Sequence, residues 1–169
     1  MTDQGSIQGT VLRTARLTLP LITPTQAADL RAGVRHASFA PGFPRPDDID
    51  AASLARPDEP WGPRLVVRSN DGLVCGTIGF FGAPEEHDGV AEVEVGFGLV
   101  PDARGRGVAS EALAALLAVA DRARAQARAR VAPGNSAGLR VLARSGFTQL
   151  RETTAEGELV MVRPVKDPA

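Results

Sequence analysis

One stretch, VAEVEVGFGLVPDARGRGVASEALAALLAVADR at residues 90–122, constrains the fold more than any other. Its first part alternates. Ala91, Val93, Val95, Phe97 and Leu99 fall on one side of an extended chain, and Glu92, Glu94, Gly96 and Gly98 fall on the other. Its last part repeats at helical spacing, with Leu113, Leu116, Leu117 and Ala120 on one stripe of a helix starting near Val108. Between the two lie Pro101-Asp102-Ala103 and Arg104-Gly105-Arg106-Gly107. This joint reads in two ways. It is either a tight turn that starts a helix, or a place where backbone must come close to an anion. A helix N-terminus carries unpaired N–H groups and a partial positive charge. Glycine lets a phosphate approach such groups without a Cβ in the way, and arginines add charge-assisted contacts.

The same two periodicities assign the rest of the chain. Leu17-Thr18-Leu19-Pro20-Leu21 alternates as a strand. Thr23, Pro24 and Gln26 supply an N-cap, a first-turn proline and a capping-box partner for a helix over TPTQAADLRAGVRH. Residues 40–63 hold six prolines and read as loop, with a short helix near 47–56. RLVVRS (64–69) and LVCGTIGFF (73–81) read as strands joined by a turn at Asn70-Asp71-Gly72. ARARVAP is a further strand. NSAGLRVLARSGF is a helix from Asn135, stopped by Gly146. TQLRET and ELVMVRP close the sheet as a hairpin around Ala155–Gly157. This order predicts a mixed α/β (α+β) sheet. Residues 1–9 read as a flexible leader and 10–165 as a single domain, because neither flank of the proline-rich loop makes a core alone.

Composition narrows the function classes. A chain of 169 residues with 43% hydrophobic content is globular and long enough for a real core. A formal net charge of -1 argues against broad nucleic-acid binding, so any anion site must be local. A single cysteine, Cys75, allows no internal disulfide, makes a cysteine metal site improbable and fits a reducing cytoplasm. No apolar run approaches the roughly 20 residues of a membrane span, and the N-terminus lacks the pattern of a signal peptide. Cytoplasmic location, no metal, no nucleic acid and no membrane are the resulting expectations.

The joint does not fit the common nucleotide loops. A dinucleotide fold calls for an acidic residue at the end of the next strand, whereas Asp121 falls in the helix. A P-loop needs Gly-Lys-Ser/Thr, and no lysine is present here. Arg104-Gly105-Arg106-Gly107-Val108-Ala109 instead resembles the Arg/Gln-x-x-Gly-x-Gly/Ala signature of the Gcn5-related N-acetyltransferases (GNAT). TARLTLPLITPTQAADL, CGTIGF, VEVGFGLVP, GRGVASEAL and NSAGLRVLARSGF resemble, in that order, segments of its Rim-type branch, which includes ribosomal-protein N-terminal acetyltransferases. The resemblance spans about residues 12 to 163. It implies a mostly antiparallel twisted sheet of about six to seven strands with about four helices and a splayed central strand pair.

It also implies roles. The backbone of Arg104, Gly105, Arg106, Gly107, Val108 and Ala109 would hold the pyrophosphate of acetyl-CoA. The backbones of Phe97 and Leu99 would pair with its pantetheine arm. Asn135 would contact the pantetheine or thioester region, although a helix N-cap explains it equally. An amine must lose a proton before it attacks a thioester. Glu94 matches the acidic position of the branch, and Glu92 shares its face. Both can also be ordinary solvated strand residues. A carboxylate pair two residues apart could raise one pKa, and Gly96 and Gly98 on that face would leave room for substrate. Many members use a tyrosine to protonate the leaving thiolate. The matching residue here is Leu142, the chain has no tyrosine, and the serine often found after the asparagine is Gly138. Ser136, Ser145 or water would have to serve. Cys75, His36 and His87 read as structural, and Trp61, Phe39 and Phe43 as either acceptor-pocket walls or packing. Glu85, Glu86 and Asp88, with Glu92 and Glu94, favour a cationic acceptor. The implied activity is acetyl-CoA-dependent N-acetylation of a protein N-terminus or a small amine by a monomer or homodimer. The alternative is a non-catalytic acyl-CoA sensor of the same fold.

Overall fold

The computed structural model describes residues 11–56 and 60–167, so the expected leader lies outside the described residues. In chain order the elements are β1 (Val11–Arg13), β2 (Leu17–Pro20), α1 (Pro24–Arg31), α2 (Pro46–Ala52), β3 (Pro63–Arg68), β4 (Val74–Phe80), β5 (Glu85–His87) and β6 (Val90–Leu99). A single 3-10 turn, Pro101–Ala103, follows. Then come α3 (Val108–Arg122), β7 (Gln126–Val131), α4 (Ser136–Arg144), β8 (Gln149–Thr153) and β9 (Leu159–Arg163). The strands form one sheet in the order β1-β2-β3-β4-β6-β7-β9-β8, with β5 on the side of β6.

The described residues thus hold nine strands, against the expected six to seven. The additions are the three-residue strands β1 and β5, too short to show a period. β5 exists because Asp88 (φ 50°) and Gly89 (φ 80°) both adopt the left-handed conformation that a two-residue hairpin turn requires. That turn lays Glu85–His87 against Val90–Glu92.

Local signals set the helices where expected. Thr23 accepts from the Gln26 amide at 3.1 Å and its own amide donates to the Gln26 side chain at 2.9 Å, completing a capping box. On α3, Leu113, Leu116, Leu117 and Ala120 are buried, and the helix lies across β1, β2, β4, β6 and β7. α2 packs on β3 and β4. It covers the face on which Thr77 and Gly98 stand opposite each other, because Thr77 donates to Asp48 and Gly98 faces Arg45.

The sheet is open at its centre. β6 pairs with β4 antiparallel over Val95–Leu99, but with β7 only over Glu92–Glu94, in parallel. Past Glu94 and Arg128 the two strands part, while β7 stays paired with β9 out to Val131. This is the splayed central pair that the resemblance implied.

Candidate functional site

The splay leaves backbone groups without strand partners. Val100 donates to Cys75 on β4 at 2.9 Å. Alternation along an antiparallel strand therefore points the N–H and C=O of Val95, Phe97 and Leu99 to the other edge, into the gap. The Leu99 carbonyl is already taken by Arg104 Nε at 3.0 Å, so Leu99 offers its N–H alone and Phe97 offers both groups. A cavity of about 340 Å³ occupies the gap, lined among others by Glu94, Phe97, Asn135, Gly138 and Leu142.

The gap runs toward the glycine–arginine joint. Gly105 (φ 74°) and Gly107 (φ 77°) take left-handed backbone, and Gly107 is the N-cap of α3. A Cβ on Gly105 would meet nothing, so the approach to the backbone there is clear. The Arg104 amide donates to Pro101 at 3.2 Å and the Glu111 amide to Gly107 at 3.0 Å. Between them, the N–H groups of Gly105 through Ser110 find no acceptor among the described residues. The donor set is therefore shifted from the expected Arg104–Ala109 by one residue, because the 3-10 turn consumes the Arg104 amide. Such a run of unpaired amides at a helix N-terminus has the donors and the partial positive charge to receive an anion.

One feature would oppose an anion, and the fold neutralises it. Glu111 lies in the first turn of α3, but Arg16 Nε binds its Oε1 at 2.7 Å and the Arg16 amide its Oε2 at 2.9 Å, with the Thr14 hydroxyl also donating. Partial burial pushes this carboxyl up, and these hydrogen bonds more than reverse it, holding Glu111 below the usual carboxylate range. Arg16 also donates to the Arg106 carbonyl at 3.0 Å and so braces the loop. Nothing in the sequence marked Arg16, which reaches the loop from the chain before β2.

Glu92 and Glu94 sit in different surroundings. Glu92 is 4% exposed, with Arg151 Nη1 2.7 Å from its Oε1 and His87 Nδ1 3.8 Å from its Oε2. Glu94 faces the gap, and Arg128 and Arg130 both bind its Oε1, at 2.9 and 3.2 Å. Its Oε2 has no hydrogen-bond partner among the described residues. The expected carboxylate couple is therefore resolved into two separate ion pairs, because the parallel β6–β7 register sets Arg128 opposite Glu94 and a bulge in β8 brings in Arg151.

The space expected beside Gly96 and Gly98 is filled. A Cβ on Gly96 would lie 2.8 Å from the Phe81 ring, and one on Gly98 would lie 2.1 Å from Arg45 Nη2. These glycines admit neighbouring side chains, and the room lies just beyond. A second cavity of about 310 Å³ lies under α2, with Phe80, Phe81, Phe97 and Arg45 in its wall and Asp47 and Asp50 also lining it. It meets the gap at Phe81, Gly96 and Phe97. Asp47 and Asp50 are exposed and without side-chain partners among the described residues, so they are the acids nearest this cavity. Glu85, Glu86 and Asp88 instead lie on or beside β5 at the far end of β6. Phe43 is buried against Phe39 at 4.9 Å, and Trp61 packs on Phe80 at 4.9 Å. Neither of these two cavities is lined by Phe39, Phe43 or Trp61.

Asn135 caps α4, its Oδ1 accepting from the Gly138 amide at 2.9 Å, and it also lines the gap. A Cβ on Gly138 would lie 2.7 Å from Asn135 Nδ2, so the capping side chain sits directly against this glycine. Leu142 faces the gap and is buried. Neither Ser136 nor Ser145 lines the gap, and no hydroxyl does among the described residues. Cys75 is fully buried, and burial pushes its thiol up, so it is core. No helix among the described residues is long and apolar enough to cross a membrane.

Comparison with known proteins agrees with this geometry. A search of the curated proteins found no match. A Bordetella pertussis structure named for the GNAT acetyltransferase family is 26% identical, with a TM-score of 0.65 over 90% of this chain and 98% of that one. The ribosomal-protein-S5-alanine acetyltransferase of Vibrio fischeri is 16% identical, with a TM-score of 0.62 over 93% and 97%. The microcin C7 self-immunity acetyltransferase MccE, solved with acetyl-CoA and AMP, is 13% identical, with a TM-score of 0.63 over 90% and 94%. These last two share the fold. A family model described as an acetyltransferase (GNAT) domain matches residues 16–148. With its splayed strand pair and free helix N-terminus, the chain belongs to the GNAT acetyltransferase family.

Proposed function

We propose that this acetyl-CoA-dependent acetyltransferase acts on the amine of a cationic acceptor, with Glu94 as its base. One observation carries the reading: an unpaired strand edge leads from a carboxylate straight to six free amides at a helix N-terminus. That run of donors fits a pyrophosphate, and the open N–H and C=O groups of Phe97 fit the amides of a pantetheine arm laid along the strand. Acetyl-CoA, when bound, supplies the thioester whose acetyl group moves to the amine. The chain's own residues do the rest. Gly105–Ser110 hold the anion, and the Arg106 side chain, without a partner among the described residues, adds a contact. A backbone N–H near Phe97–Leu99 holds the acetyl carbonyl oxygen as negative charge grows on it.

Glu94 takes the proton from the incoming ammonium on Oε2, the oxygen its arginines leave open. Glu92, locked to Arg151 and absent from both cavities, is then a structural partner of that face. Water serves as the acid for the departing thiolate, since no hydroxyl lines the gap. Asp47 and Asp50 draw a cation to the cavity under α2. The acceptor is a protein N-terminus or a small amine, and the enzyme works in the cytoplasm as a monomer or homodimer.

Thermal melting with acetyl-CoA, against NADH and ATP, tests the cleft. Ligand at 100 times its Kd adds roughly 2.7 kcal/mol, a visible rise in Tm. No rise would remove the reading. The variant Glu94→Gln then tests the base. Its turnover falls roughly 100-fold or more with the acetyl-CoA shift kept. Unchanged turnover would reject Glu94, and cofactor binding with no turnover on any amine would favour a non-catalytic sensor.

A further inference from the structure

Resting on that reading of the cleft, we infer that Arg45 selects acceptors with a carbonyl oxygen on the carbon next to the amine, by a hydrogen bond from Nη1. Arg45 immediately precedes α2. Its Nε and Nη2 are bound to Asp48 at 3.0 and 2.8 Å. Asp48 is fully buried and also accepts from the Arg45 amide at 2.8 Å and from Thr77 at 2.6 Å. Four donors satisfy this carboxylate, so the guanidinium plane is fixed. Nη1 has no partner among the described residues.

The guanidinium lies against Gly98, where a Cβ would be 2.1 Å from Nη2 and 2.7 Å from Nη1. It thus forms one polar wall of a cavity also lined by Ala51, Leu54, Pro63 and Phe81, with Asp47 and Asp50 on the side of α2. A cation held in this way repels an ammonium and donates to an oxygen. Its position fits one spacing. The two cavities meet at Gly96, where the amine must arrive to reach the gap. Gly96 and Gly98 are two residues apart on one face, about 6.7 Å. A hydrogen bond of about 2.9 Å and the roughly 3 Å from oxygen to nitrogen across O=C–C–N together make about 6 Å.

An α-amino carbonyl therefore spans from Arg45 to the reacting position, whereas an alkylamine presents only methylenes there. A neutral carbonyl suits the site better than a carboxylate. Asp48 already balances Arg45, and Asp47 and Asp50 stand unpartnered nearby.

The test measures acetylation of glycinamide, glycine and ethylamine by the wild-type protein and by Arg45→Lys. The lysine keeps a cation beside Asp48 and removes the free guanidinium edge. Each acceptor is compared with itself across the two proteins, so differences in amine basicity cancel. Melting with acetyl-CoA establishes that both proteins fold and bind the cosubstrate. The variant should lower kcat/KM for glycinamide about tenfold, through KM, and leave that for ethylamine unchanged. If Arg45→Lys does not fold, Arg45→Gln, which keeps a donor toward Asp48 and removes the free guanidinium edge, should give the same selective loss.

Equal losses on glycinamide and ethylamine, no loss on glycinamide, or a loss confined to glycine would overturn the inference. So would a wild-type protein that binds acetyl-CoA and acetylates none of the three. A wild-type protein whose Tm does not respond to acetyl-CoA would instead overturn the reading of the cleft itself.

Discussion

At the scale of single residues, the site depends on what is missing as much as on what is present. Gly107 shows this. Its φ of 77° is a conformation that side chains disfavour by roughly 1–2 kcal/mol, and Arg16 Nη2 would stand 3.4 Å from any Cβ. Gly107→Ala should lower stability by about 1 kcal/mol and weaken acetyl-CoA binding severalfold, read by calorimetry beside a denaturant melt. Unchanged binding would mean that the loop tolerates another path. Glycines at 105 and 107 were legible in the sequence as an approach to an anion. The glycines at 96 and 98 were legible only as gaps. What fills them, Phe81 and Arg45, comes from other strands and loops, which no local pattern encodes.

At the scale of elements, α3 is tied down at both ends by ion pairs. At its start, Glu111 is held by Arg16. At its end, Asp121 binds Arg163 of β9 bidentately at 2.8 and 2.9 Å and accepts from the Lys166 amide at 3.0 Å. Hydrogen bonds from Arg163 hold the Asp121 carboxyl below its ordinary value of 3.8. Because the folded chain favours the charged form, this stability is full above pH 3.8 and is lost as pH falls through the lower folded value. Asp121→Asn should cost about 3 kcal/mol at neutral pH, since it strands the buried Arg163. The difference between the two proteins should shrink toward pH 2 in denaturant melts. A gap that stays constant with pH would assign the loss to packing. The helix was legible from its apolar stripe, whereas the partners of its two acids lie 95 and 42 residues away.

At the scale of the molecule, the feature that matters is an interruption in the sheet. β6 belongs to β4 along its C-terminal half and to β7 only along the three residues before it. Amides of Phe97 and Leu99 that point into this gap exchange their hydrogens with solvent unless something covers them. Hydrogen exchange should find them unprotected in the free protein and slowed at least tenfold by acetyl-CoA, while amides paired with β4, such as Val100, barely change. Equal protection of both sets without ligand would mean that the strands close on each other in solution.

The sequence alone determined the order of elements, the strand–glycine–helix joint and the carboxylates on one face of β6. These follow from periodicity and backbone sterics, which act over a few residues. It did not reveal β5, although Asp88-Gly89 is a hairpin signal, because strands of three residues show no period. Only the tertiary structure decided which carboxylate faces the gap, since that depends on the parallel register with β7 and the bulge in β8. It alone decided that Arg16 braces the anion loop and that Arg45 walls the second cavity. Long side chains reach across elements, and their targets are set by how the layers stack.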